Sequence, residues 1–291
     1  VSHALEERTS LADALPDPFP ARWPAHLALS FHAARGRTTL ARRHSGPLVV
    51  QKALYPEGPA VCQAVVIHPP GGLAGGDELA LALELAPGSH AQLTTPGAGK
   101  WYRSEGQEAS QRLVAHIEGA HLEWLPQETI LFDAAHARMT SEIELHGKAR
   151  YLGWEILCLG RRAAGEHFSR GALRQRTTIR HDGRLLWGER CHLGGGSALL
   201  SSPVGLDGRT VVGTLILAGL TVDAPLLTAC RAVRPGEAGA RAGLSAWSGM
   251  LLARYLGDSG EGARRYLTAL WRMLRPPFCG REAVPPRIWS T

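Results

Sequence analysis

From about residue 25 to 217 the chain alternates apolar and polar residues in short runs, at 61–67, 79–85, 111–117, 141–145, 151–159 and 211–217. A period of two puts every second side chain on one face, so each run predicts a β-strand with one buried side. Turn-forming pairs punctuate the runs. Pro87-Gly88, Glu118-Gly119, His146-Gly147 and Asp182-Gly183 each close one strand and precede another. Their glycines lie 31, 28 and 36 residues apart, a loose period that stacked β-layers would require but too irregular for a strict solenoid repeat. The expectation is a mainly β fold of stacked β-sheets, β-helix-like or sandwich-like.

The pattern changes after residue 218. Asp223 is placed to N-cap a helix near 223–233, and a mixed apolar segment follows at 244–256. Between Glu261 and Leu274, the residues Ala263, Tyr266, Leu267, Leu270, Trp271 and Leu274 recur at spacings of three and four. That is the stripe of an amphipathic helix, which Pro276-Pro277 should end. The predicted organisation is a flexible N-terminal tail at 1–20, a β core at 21–218, a small α/β portion carrying two helices at 219–276 and packed on the core, and a C-terminal tail at 277–291. In that last tail Ile288 and Trp289 read equally as an exposed docking peptide or as a terminus folded back onto the core.

Composition narrows the class. With 291 residues, 44% of them hydrophobic, the chain can bury a sizeable core. No apolar run approaches the ~20 residues of a membrane span, and the first ten residues are polar and mixed in charge, unlike a secretory signal. A cytoplasmic protein with no membrane partner is expected. Five cysteines (Cys62, Cys158, Cys191, Cys230, Cys279) with no Cys-x-x-Cys read as buried thiols rather than a disulfide framework or zinc knuckle. The net charge of +6 comes from basic residues scattered along the chain. With no nucleic-acid-binding motif beside them, no nucleic-acid partner is expected.

Two features carry candidate chemistry. The first is His68-Pro-Pro-Gly-Gly-Leu-Ala-Gly-Gly-Asp77-Glu78. Pro69 and Pro70 stop the preceding strand, while Gly71, Gly72, Gly75 and Gly76 allow positive φ and close backbone approach, so the loop is built to hold Asp77 in one place. It reads either as a structural turn or as a functional acid loop, and His68 either as a strand-end histidine or as a contact for something in the loop. A phosphate cradle would need a Gly-Lys-Ser/Thr ending, and a dinucleotide fingerprint would open a helix. Neither follows, and Lys100 in Gly97-Ala-Gly-Lys100 precedes Trp101 instead of a hydroxyl residue. A nucleotide-binding enzyme using loop 68–78 stays as the alternative function.

The second feature is a set of carboxylates inside apolar strands: Glu123, Glu155 and Glu189, with Asp77, Glu128, Asp133 and Glu166 nearby in sequence. Buried carboxylates need partners or a ligand. Such a set could line a polar channel for a cation, since oxygen ligands attract divalent metals without gripping them as thiolates do. The competing reading pairs each acid with a neighbouring arginine, Arg190 with Glu189 and Arg161 or Arg162 with Glu166. Histidines show no metal-site spacing, and Cys191 and His192 point to opposite faces of one strand. No Gly-x-Ser-x-Gly elbow supports hydrolase chemistry.

Five segments, taken in order, resemble one family. They are His68-Pro-Pro-Gly-Gly-x-x-Gly-Gly-Asp77, Gly-x-x-Lys100-x-Tyr-Arg-Ser104, Leu122-Glu-Trp-Leu-Pro-Gln-Glu128, Trp154-Glu-x-Leu-Cys-Leu-Gly-Arg161 and Pro286-Arg-Ile-Trp289. The chain is similar over about residue 25 to its end to the urease accessory protein UreD (UreH in some bacteria). The resemblance implies a non-enzymatic maturation factor for nickel urease, with stacked sheets and few helices. It implies a scaffold that joins a UreF-type accessory protein and a UreG-type GTPase, contacts apo-urease in a dimer of heterotrimers, and passes Ni²⁺ through an internal tunnel. No permanently bound cofactor is implied, only transient Ni²⁺. The acids matching that path are Asp77, Glu155 and Glu189, with Glu166 as a weaker match. His68, Gly71, Gly72, Gly75 and Gly76 form the structural loop.

Overall fold

The computed structural model describes residues 22–290, so the expected N-terminal tail lies outside the described residues. Three coils of chain follow one another from residue 62. The first is β4 (Cys62–Ile67), β5 (Gly72–Leu73) and β6 (Asp77–Leu85); the second is β7 (His90–Thr94), β8 (Gly99–Trp101) and β9 (Ala109–Glu118); the third is β10 (His121–Trp124), β11 (Thr129–Leu131) and β12 (His136–His146). A fourth turn runs through β13 (Arg150–Leu159) to β14 (Ala172–His181). Each coil adds one strand to each of two large sheets and, through β5, β8 and β11, one to a short third ladder. Neighbouring coils pair in parallel, Cys62 with Ala91, His90 with His121 and His121 with Arg150, offsets of 29, 31 and 29 residues. The centre is therefore a short parallel β-helix, and the mainly β expectation holds. The loose turn period came from these coils. Its outlier, 36 residues, arises because Gly183 belongs to the antiparallel hairpin between β14 and β15 (Arg184–Gly194) rather than to a coil.

Strands outside the coils extend both large sheets. β1 (Trp23–Ala34) pairs in parallel with β6 and antiparallel with β2 (Arg37–Ser45), giving the order β15-β14-β12-β9-β6-β1-β2. In the other sheet β3 (Val49–Leu54) lies beyond β4, and beyond β13 come β16 (Val211–Ala218), β18 (Met250–Gly257) and β17 (Arg241–Trp247). Inward side chains such as Leu29, Leu83, Ile117, Leu122 and Ile143 are buried and form the core between the sheets. Alternation along β6, β9 and β12 supplies them, as period-two patterning requires.

Besides a single-turn α1 (Ala198–Ser201), α2 (Ala224–Ala232) is capped by Asp223, which accepts from the Leu226 amide at 2.9 Å. The helix α3 (Gly260–Cys279) packs its predicted stripe, including Tyr266, Leu270 and Trp271, into a second core on the outer side of the β13–β16–β18 sheet. The expected stop at Pro276-Pro277 is overturned. Each proline removes one amide donor and crowds the carbonyl four residues back, but both fall in the last turn of α3, where little helix has to continue past them. The Gly280 amide then closes the helix on the Pro276 carbonyl at 2.7 Å, and Arg150 donates to the Pro277 and Phe278 carbonyls. The C-terminal segment folds back: Trp289 Nε1 donates to Thr94 Oγ1 at 2.8 Å, and its ring meets those of Trp154 and Trp271.

Candidate functional site

A cavity of about 420 Å³ lies between the two large sheets, and Glu128, Glu155 and Glu189 are on its wall with His68, Gly71 and Gly72. Strand alternation explains how Glu155 arrives there. On β13 Trp154 and Ile156 face the core under α3, so Glu155 faces the interior with Tyr151. Glu155 thus lies deep in the molecule yet keeps accessible surface, because it borders a space instead of packed side chains.

Glu189 approaches from the opposite sheet on β15. Its partner is Arg254, Nη2 to Oε1 at 2.6 Å, not Arg190 as the arginine-pairing reading expected. Adjacent residues of a strand point to opposite faces, so Arg190 could not turn inward with Glu189. Gln175 on β14 donates its amide to Glu155 Oε2. Burial pushes the Glu155 carboxyl up to about 7, against the Gln175 hydrogen bond, with the Glu189 charge adding to the rise and Arg254 opposing it. Burial also raises the Cys191 thiol, and Glu189 and Glu155 raise it further. Near Glu128, burial and that carboxylate push Cys158 up to about 12.

The other sequence-selected residues sit off the wall. Asp77 Oδ2 accepts from the Ala74 amide at 2.7 Å, and its own amide donates to the Ala74 carbonyl, which closes the glycine loop at the start of β6. The four glycines divide their work. Gly71 and Gly76 have φ of +77° and +92°, where an L side chain is strained. At Gly72 and Gly75 a Cβ would instead lie within 3 Å of Tyr102 and Ser104. His68 lines the cavity, and burial lowers its imidazole pKa while the Asp77 charge opposes that. The Gly71 and Gly76 amides donate to the carbonyls of His68 and Glu108. With the Ala74 amide taken by the Asp77 carboxylate, these donors are already engaged and the loop holds an acid of its own, which disfavours phosphate and so the nucleotide-binding alternative.

Glu166 accepts two bonds from Arg161 and one from the Asp133 amide, which hold its carboxyl below the usual range, the Arg161 bond foremost. Asp133 accepts from Ser169 and Arg170 in the same surface clamp. Neither acid lines the cavity.

Glu123 has a different fate. It faces α3 from β10, fully buried, and accepts from Trp271 Nε1 at 2.6 Å, from Arg275 on both oxygens at 3.1 Å, and shares a 2.8 Å bond with His90. Burial alone would raise its carboxyl, but His90, Arg275 and Trp271 outweigh it and hold it down. Arg275 also binds both oxygens of Glu57, at 2.7 and 2.8 Å. The fold brings Cys279 here too, so that ligand-type atoms of His90, Glu123 and Cys279 lie within 4.8 Å of one another. Sequence spacing could not reveal this, since α3 and the C-terminal turn meet β7 and β10 only in three dimensions. The guanidinium and indole donors already fill Glu123, and the chemistry fits an internal ion network better than a cation site.

Arg254 and Gln175 were not selected from sequence. The signal for Arg254 was present: a charged residue inside the apolar alternation of β18, the same sign that marked Glu155. Gln175 carried no such mark.

Comparison with known proteins gives the family. A family model described as UreD urease accessory protein matches residues 24–290. The chain is 56% identical over 275 residues to the urease accessory protein UreD of Dechloromonas aromatica (strain RCB), covering 92% of this chain and 95% of that protein. It is 53% identical over 272 residues to the UreD of Azoarcus sp. (strain BH72), covering 92% and 94%, and 49% identical to that of Methylobacillus flagellatus over 93% and 95%. These relatives are named as accessory proteins rather than as enzymes. No helix among the described residues is long and apolar enough to cross a membrane. With the family model spanning nearly the whole chain and relatives above 45% identity, this chain belongs to the UreD urease accessory protein family.

Proposed function

We propose that the chain serves urease maturation by passing Ni²⁺ through the cavity between its sheets, within an assembly that includes a UreF-type accessory protein, a UreG-type GTPase and apo-urease. The observation that carries this reading is the pair Glu155 and Glu189, presented from opposite sheets to one internal space. A conduit must strip part of an ion's hydration yet release it. Spaced carboxylates meet both demands. A raised thiol pKa at Cys191 helps, because a protonated sulfur does not trap a borderline metal as a thiolate would. Ni²⁺ here is cargo. Asp77 contributes by fixing the loop that carries His68, and Glu166 by bracing the surface turn that follows β13.

The test replaces Glu155 and Glu189 by glutamine, singly and together. Urease is then matured with each variant, and its nickel is measured by elemental analysis alongside co-purification of the complex. The expected result is an intact complex and under-loaded urease, most marked in the double variant. Normal nickel content with the double variant would remove the cavity path.

A further inference from the structure

The wall of the cavity carries a cation of its own. Arg254 lies on β18 in register with Thr214 on β16, which in turn pairs with Glu155 on β13. These three residues therefore form one row across three strands of one sheet. From the end of that row the guanidinium donates to Thr214 Oγ1 at 2.6 Å and reaches across to Glu189 of the opposite sheet at 2.6 Å. It is a bar joining the two walls at the place where both carboxylates converge. Arg254 and Glu189 side chains retain 36% and 33% of their exposure. An ion pair that solvated is weak and can be displaced by a stronger cation.

We propose that Arg254 is the gate of this site: it occupies Glu189 when no cargo is present and must swing away before a divalent cation can be held between Glu155 and Glu189. The inference rests on the nickel-path reading. Geometry supports it. Thr214 lies between Glu155 and Arg254 in the row, so the guanidinium that binds Glu189 stands where a cation shared by the two carboxylates would be held. Two cations repel each other at such range, so a guanidinium and a divalent ion compete for Glu189. The groups facing Glu155 are Tyr151 from β13, Gln175 from β14, Glu189 and Cys191 from β15, Thr214 from β16 and Arg254 from β18. Arg254 is the one permanent cation among them.

The experiment is isothermal calorimetry of NiCl₂ binding to the full chain at pH 8. It compares the unaltered protein with Arg254→Gln, Arg254→Lys, Thr214→Val, Glu155→Gln/Glu189→Gln, and the triple variant with Arg254→Gln added. Removing the competing charge should tighten Ni²⁺ binding by roughly tenfold at pH 8, and the triple variant should lose that gain. Thr214→Val, which only unfastens the guanidinium, should tighten binding by a smaller factor, about threefold. It carries the test if Arg254→Gln fails to fold. Arg254→Lys keeps the charge and should bind like the unaltered chain. Tightening by Arg254→Gln should also slow nickel transfer to urease, because the ion is no longer expelled. Unchanged or weaker binding in both Arg254→Gln and Thr214→Val, with binding still dependent on Glu155 and Glu189, would overturn the gate and leave the path standing. Binding that ignores Glu155 and Glu189 altogether would overturn both.

Discussion

Two buried carboxylate sites sit on opposite faces of the same sheet, and they have been treated differently by the fold. On the α3 side Glu123 is wrapped by partners from two elements, α3 and β7, with a guanidinium on both oxygens and an indole closing the second. On the cavity side Glu155 receives one amide, and its neighbour Glu189 shares a single guanidinium with Thr214. The consequence appears in protonation. Burial acts on both acids, but Glu123 is held ionised, whereas Glu155 is pushed up to about 7. A carboxylate with its donors supplied internally is structure. One left short of donors beside an open space is available to a ligand, at a cost in stability. Burial alone therefore does not identify a site; the number of donors left unsupplied does.

The sharpest way to break this contrast is Glu123→Ala. It leaves Arg275 with Glu57 as its remaining carboxylate partner and takes the shared carboxylate from the Trp271 indole and His90, so destabilisation of about 3–5 kcal/mol is expected in urea unfolding. A loss below about 1 kcal/mol would mean that the network is not what fixes α3 to the β-helix.

The opposite sign is expected at Glu155. Its carboxyl titrates near 4.5 when unfolded and near 7 when folded. A raised folded value means that the stabilisation is complete below the unfolded pKa and is lost as pH rises through 4.5 to 7. The unaltered protein should thus lose of the order of 3 kcal/mol across that window from this one group. Glu155→Gln cannot ionise, so its stability relative to the unaltered chain should climb between pH 4.5 and 8. Other groups titrate alike in both proteins and cancel in the difference. A flat difference would show that Glu155 is solvated through the cavity and titrates normally.

Much of this was legible in the chain. The period-two runs gave the strands of the coils, the Gly turns gave their boundaries, and the three-and-four stripe gave α3. Carboxylates interrupting apolar strands marked Glu155, Glu189 and Glu123 alike. What sequence could not do was sort them, because the sorting residues are distant: Arg275 lies 152 positions from Glu123, and Arg254 lies 65 from Glu189. Proximity in sequence misled in the case of Arg190, which the strand pleat turns away from Glu189. It served for Glu166, whose partner Arg161 is five residues back across a turn. The helix running through Pro276-Pro277 was hidden for the same reason, since the side chain that supplies its terminal carbonyls, Arg150, comes from β13.

Two smaller effects sharpen the comparison. Trp289 seals the α3 side, where its indole donates to Thr94 and its ring rests on Trp154 and Trp271. Trp289→Ala should cost about 2 kcal/mol by thermal unfolding, since part of a large ring and one hydrogen bond are lost. It should leave Ni²⁺ binding unchanged, because Trp289 is not on the cavity wall.

The smallest effect is expected at Glu166, and it separates an acid chosen by its position in the family pattern from acids chosen by where the fold puts them. Arg161, its main partner, is nearly half exposed, so water screens the pair and replaces most of what is lost when it is broken. Glutamine at this position keeps an oxygen for the Asp133 amide and loses only the charge opposite Arg161. Glu166→Gln should therefore lower stability by less than about 1 kcal/mol, and the loss should shrink further in high salt. Urease nickel content should match that obtained with the unaltered chain. If nickel loading fell as far as with Glu155→Gln while stability stayed put, the ion's route would have to cross the surface turn after β13, and the cavity could not be its whole path.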